Sequence, residues 1–179
     1  MSMNQTTEKG LEFNGRLPLV VEQIAQLPSS AELVMINNGN ELLLKTVMLL
    51  EEKVDADEDD EILQELKKQD MKINLLLDML STLLIQNNAI PPIHEITLTD
   101  SWIRIKDGST AKANGACCVK LYINTAIPRP LVLYGTCESD ADDAQLQITF
   151  QGMSQSLING LDKYIFRFHR RMVANSRTA

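Results

Sequence analysis

The sequence predicts an α+β protein: a small antiparallel β-barrel or sandwich with a C-terminal helix, plus long heptad-type helices that form an oligomerisation bundle. Three observations predict it. Residues 55 to 86 run for roughly thirty positions without Gly or Pro, with apolar residues three and four apart, the pattern of a helix that packs along another helix. Pro91-Pro92 then breaks the helical half, and short alternating apolar and polar runs separated by turn residues follow. The chain closes on a stretch, Gln155 to Val173, that presents one apolar helical face.

Taken in order, residues 1 to about 16 are polar and read as a frayed end or a short edge element. The run LPLVVEQIAQL, ended by Pro28-Ser29-Ser30, fits a strand or a short helix. A helix is expected from Asn40, as its cap, to about Lys53, with Leu43, Val47, Leu50 and Val54 on one face. Asp55 with Glu58 offers a capping arrangement, and the carboxylates of residues 55 to 61 suit the positive end of a helix dipole. A calcium loop would need a turn glycine, and this run has none. These signals divide the chain into an N-terminal segment (1–38) packing on the barrel or bundle, a helical oligomerisation module (39–90), and a barrel with its C-terminal helix (91–179).

In the long helix, Leu66, Ile73 and Leu80 take the first core position of the heptad, and Ile62, Gln69, Leu76 and Leu83 the second. Leu77 and Leu84 widen the stripe beyond what a two-stranded seam needs. A polar Gln69 in such a seam sets register at some cost in stability. The expected assembly is a homo-oligomer, with a closed tetramer favoured. Beyond the prolines, IHEITL, WIRIK, ACCVKLYIN, PLVLYGTCE and LQITFQ suggest about five strands of a barrel or sandwich. Leu157, Ile158, Leu161, Ile165 and Phe168 should seat the last helix on them.

Composition narrows the function. The 179 residues carry a net charge of −7 and only 4% aromatics, which argues against a nucleic-acid binder. The charge is uneven, because Lys163, Arg167, Arg170 and Arg171 make the last helix basic, and Arg167, Arg170 and Arg171 form a candidate patch for an anion or an acidic partner. Three cysteines cannot form a closed disulfide set, and Cys117 and Cys118, adjacent on a strand, should face opposite ways. A reduced, cytoplasmic setting follows, with no signal peptide and no membrane insertion expected. His94 and His169 share no ligand spacing, the lone Trp102 suits a core, and no phosphate-cradling glycine loop is present. No catalytic residue, metal site or cofactor is expected, and the reading is not an enzyme.

From Ile96 on, the order and spacing of ITLTDSWIRI, VKLYINTAIPRPLVLYGTCE and LQITFQGMSQSLINGLDKYIFRFHRR resemble the PilZ domain family over about residues 93 to 174. Its most distinctive piece is the stretch from Gly152 to Arg171. The resemblance implies a small barrel with a C-terminal helix, and members of the family mostly bind cyclic di-GMP. They use a pair of arginines four apart before the first strand, and then the pattern D/N-x-S-x-x-G, whose glycine lets the backbone approach the ligand. Here the matching positions are Thr97, Thr99 and Trp102, and Arg16 is the sole arginine before Arg104. Thr97, Thr99 and Asp100 are therefore the residues of a degenerate ligand-binding motif. The resemblance implies an atypical, oligomeric variant: a non-catalytic interaction module in cyclic di-GMP-linked control of motility, pili or virulence, with protein partners that the chain does not identify. The alternatives are a genuine cyclic di-GMP receptor with a non-standard site, drawing on Thr97, Thr99 and another subunit, and a purely structural scaffold.

Overall fold

A computed structural model of the chain describes residues 11–50, 61–86, 91–106, 114–124, 127, 129–140 and 145–176. The order is β1 (Phe13–Gln23), α1 (Ser30–Leu50), α2 (Glu61–Gln86), β2 (Ile93–Leu98), β3 (Trp102–Ile105), β4 (Gly115–Leu121), β5 (Leu131–Asp140), β6 (Gln145–Gln151) and α3 (Gln155–Ser176). The strands close into an antiparallel barrel in the order β1-β2-β3-β6-β5-β4.

The barrel has six strands because β1, which spans the polar start and the ambiguous apolar run, belongs to it. Phe13 to Pro18 pair with β2, and Leu19 to Gln23 pair with β4, so one strand bridges two neighbours and removes both free edges. Pro18 stands where β1 changes partner. It has no N–H to offer the ladder, and its carbonyl accepts from Tyr122 N at 3.0 Å while Leu19 N donates to Pro92 O at 3.3 Å. A proline inside a strand is tolerated at such a corner.

Alternation along the strands fills the interior with Phe13, Leu19, Ile96, Leu98, Ile103, Ile105, Val119, Leu121, Leu133, Leu146 and Ile148, all buried. The faces of α3 and α1 continue this core. Leu157, Leu161 and Ile165 are buried and Ile158 and Phe168 half-buried, as the helical period requires, and the Phe168 ring meets that of Phe13 at 4.2 Å. Tyr164 adds its ring to the same cluster and donates its hydroxyl to Ile123 O at 3.3 Å.

Helix α1 begins ten residues earlier than the Asn40 cap suggested. Its start is a capping box at Ser29: Ser29 N donates to Glu32 Oε2 at 2.9 Å, and Glu32 N donates to Ser29 Oγ at 3.4 Å. Asn40 lies buried within the helix instead of heading it. The expected cap at Asp55 and Glu58 lies outside the described residues.

Cys117 and Cys118 do face opposite ways: Cys117 points into the barrel and Cys118 lies on the outer side beside Tyr134, and both are buried. The three cysteines are free thiols. No helix among the described residues is long and apolar enough to cross a membrane.

Candidate functional site

Two regions of the molecule carry the residues singled out from the sequence. The first is the tight turn between β2 and β3. Thr99 Oγ1 accepts from Ser101 N at 3.2 Å and from Trp102 N at 3.0 Å, while Thr99 N donates to Trp102 O at 2.9 Å. This hydroxyl therefore builds the turn. Thr97 is buried on the outer face of the barrel and donates to Asn14 Oδ1 at 2.7 Å. Asp100 sits half-exposed at the tip.

Strand register places Asn14, Thr97, Arg104, Gln147 and Glu138 side by side in one row across five strands of the outer face. Arg104 donates to Gln147 Oε1 at 2.8 Å, and its guanidinium lies over the Trp102 ring at 4.9 Å. Trp102 is thus half-buried on the outer wall and covered by Arg104, outside the barrel core in which the sequence placed it. The hydroxyls of Thr97 and Thr99, which the motif would offer a ligand, are both engaged by neighbours on the barrel.

The second region is a groove between α1 and α3. Lys45, Met48 and Leu49 line it from α1, at helical spacings of three and four; Lys163, Phe166, Arg167 and Arg170 line it from α3, at the same periodicity. It has a volume of about 450 Å³ and continues into a smaller, more enclosed trough of about 210 Å³ beside Gly160. Arg167 and Arg170 of the expected basic patch line this groove, and Arg171 does not. Lys45 and Lys163 complete it. Sequence reasoning missed Lys45 because its helix is joined to α3 only by the fold.

The groove is held by a polar clasp at the N-terminus of α3. Ser154 caps that helix by accepting from Leu157 N at 3.0 Å, and donates to Glu41 Oε1 at 2.8 Å; Ser156 donates to Glu41 Oε2 at 2.9 Å. These two hydroxyls hold the Glu41 carboxyl below its ordinary value. At the other end Arg167 donates to Met48 O at 2.9 Å, satisfying a carbonyl in the last turn of α1.

Helix α2 stands apart from the barrel, and no other described element packs against it extensively. Leu66, Gln69, Ile73, Leu76, Leu80 and Leu83 are exposed on it and Leu77 is half-exposed; the side chains of Ile62 and Leu84 lie outside those described. Among the described residues no group of His, Cys, Asp and Glu could hold a metal ion.

Residues 43–178 match the family model of the atypical PilZ domain, described as a cyclic di-GMP receptor. No curated protein matches the sequence. Among solved structures the fold is similar to that of a pathogenic protein from Xanthomonas campestris, described as a new tetrameric PilZ domain self-assembled via an unusual helical bundle. That similarity has a TM-score of 0.72 at 24% identity and covers 93% of this chain and 92% of the other.

Proposed function

The chain belongs to the atypical PilZ domain family, and on that premise we propose that it is a non-catalytic regulatory protein. It acts in the cytoplasm as a homotetrameric interaction module of cyclic di-GMP-linked signalling in motility, pili or virulence, through partner proteins. The observation that carries this reading is the apolar surface of α2. Leu66, Ile73, Leu76, Leu80 and Leu83 are between 47% and 65% exposed, far more than a lone chain in water leaves in one stripe. Helix α1 adds Met35, Leu42 and Leu49, seven residues apart and 61% to 75% exposed, so both helices offer apolar faces for a bundle. The tetrameric assembly of the similar Xanthomonas structure supports four chains over two.

The messenger does not bind by the family's usual mode. Thr97 and Thr99 are tied to Asn14 and to the turn, and Trp102 fills the position where the pattern has glycine. Since Trp102 is the sole tryptophan, its fluorescence reports this face directly. Titration with cyclic di-GMP should leave the emission unchanged while light scattering gives the mass of four chains. A saturable change at micromolar messenger would replace this reading with that of a receptor using a non-standard site around Thr97, Thr99 and Asp100.

A further inference from the structure

The groove between α1 and α3 has a chemistry that assembly through α2 does not use. Four cations, Lys45, Lys163, Arg167 and Arg170, surround its larger part, where no carboxylate is among the described lining residues, and Glu41 lines only the adjoining trough, in a chain whose net charge is −7. Arg167 spends one donor on Met48 O. Lys163 and Arg170 are exposed and take part in no salt bridge among the described residues, so each would gain from an anion placed between the helices.

The floor is apolar and includes one aromatic ring. Met48 and Leu49 face Phe166, whose ring is 47% exposed, with the Arg170 guanidinium 5.9 Å from its centroid. A planar body could lie on this ring under a guanidinium that already favours stacking. A concave site of about 450 Å³ with an apolar floor and a few convergent charges has the size and make-up of a small-molecule site. An extended acidic peptide would meet the cations but would leave the ring without a planar partner.

We infer that the α1–α3 groove is a binding site for a nucleoside di- or triphosphate, its base on Phe166 and its phosphates between Lys163, Arg170 and Lys45. The site shares no lining residue with the β2–β3 turn, and of Met35, Leu42 and Leu49 on the exposed apolar face of α1 only Leu49 lines it.

Calorimetric titration of the full-length protein with ATP and with GTP tests this, with adenosine, pyrophosphate and a polyglutamate peptide as the other arms. At least one nucleotide should bind saturably in the micromolar range, about tenfold or more tighter than pyrophosphate, because stacking adds to charge. Lys163→Glu with Arg170→Glu should weaken binding at least about tenfold while the unfolding midpoint stays near wild type, since both residues are exposed. Phe166→Ala should weaken the nucleotide roughly fivefold or more and leave pyrophosphate unchanged. Four outcomes would overturn the assignment: no saturable binding of either nucleotide at about 1 mM; binding that survives the charge reversal; pyrophosphate as tight as the nucleotide; or polyglutamate binding alone, which would make the groove a dock for an acidic protein.

Discussion

Asn40 and Val132 exchange two hydrogen bonds: Asn40 Nδ2 donates to Val132 O at 2.7 Å, and Val132 N donates to Asn40 Oδ1 at 3.0 Å. The pairing register explains why. β5 starts at Leu131, yet its ladder with β6 begins only at Tyr134 opposite Gln151, so residues 131 to 133 have no β6 partner. The side-chain amide of a helix residue supplies the donor and acceptor that a neighbouring strand would have supplied. One turn earlier, Asn37 Nδ2 donates to Gly152 O at 2.9 Å, at the end of β6. Gly152 itself has φ 73°, a conformation that favours glycine, and a Cβ there would meet Leu33 of α1 at 2.7 Å. Two asparagines on one face of α1 thus tie the helix to the ends of two strands.

Asn40→Ala should destabilise the fold by about 2–4 kcal/mol, because it removes two bonds and strands a backbone N–H and C=O in a part-buried site. Urea unfolding with an unchanged slope and a lower midpoint would show it. A loss below about 0.5 kcal/mol would mean that water replaces the amide.

Thr99→Val keeps the side-chain shape and removes the acceptor of Ser101 N and Trp102 N. The expected cost is about 1–3 kcal/mol of stability, with no change in any response to cyclic di-GMP. Thermal unfolding measures the first and Trp102 emission the second. A loss of messenger response at unchanged stability would assign Thr99 to a ligand instead of the turn.

Ile73→Asp with Leu80→Asp places two charges on the exposed stripe of α2, where each residue is about half exposed within one chain. The isolated chain should keep its circular dichroism, since these side chains contribute nothing to the barrel core. Light scattering should report a smaller species, because burying an unpaired carboxylate costs far more than an interface gains from one Leu or Ile. An unchanged mass would remove α2 from the assembly.

Glu41 predicts acid sensitivity. Its carboxyl, held low by Ser154 and Ser156, has a folded pKa below the unfolded value of about 4.3. Its contribution is therefore complete above that value and is lost as pH falls through the folded pKa. Unfolding curves of wild type and Glu41→Gln should differ most near neutrality and converge as pH falls below the unfolded value. Curves that stay parallel would assign the clasp's strength to something other than ionisation.

Cys117 predicts the opposite limb. Burial in the barrel, with the Cys137 thiol beside it, pushes its pKa up to about 12. For a raised acid the neutral form belongs to the folded state. The contribution is complete below the unfolded pKa of about 8.5 and is lost as pH rises from there through the folded value. The native protein should resist iodoacetamide at Cys117 at pH 8, and Cys117→Ser should change the slope of stability against pH above about 9, measured by denaturant unfolding. Rapid native alkylation would contradict the burial.

Much of the architecture was legible in local pattern. Five strands, the last helix and its buried face follow from periods of two and 3.6, because each depends on neighbours within a few residues. The resemblance to the PilZ family rested on that same stretch. α1 was misread at its start, although Ser29-x-x-Glu32 is a capping box, because Asn37, Asn38, Gly39 and Asn40 together look like a break. Their reasons lie elsewhere in the molecule: Asn37 and Asn40 serve strand ends, and a Cβ at Gly39 would meet the Arg129 guanidinium at 2.6 Å. β1 was left open because its proline and polar start argue against a strand unless the barrel turns a corner at Pro18.

By itself the sequence determined the periodic elements, the heptad stripe of α2 and the loss of the family's ligand pattern at Thr97, Thr99 and Trp102. Those are properties of residue type at short spacing. Only the tertiary structure decided that Trp102 is covered by Arg104 on the outer wall, and that Lys45 joins Lys163, Arg167 and Arg170 around one groove. These relationships link residues tens to over a hundred positions apart, or depend on which face of a strand is left for solvent, and such proximities arise only when the barrel closes and α1 and α3 pack together.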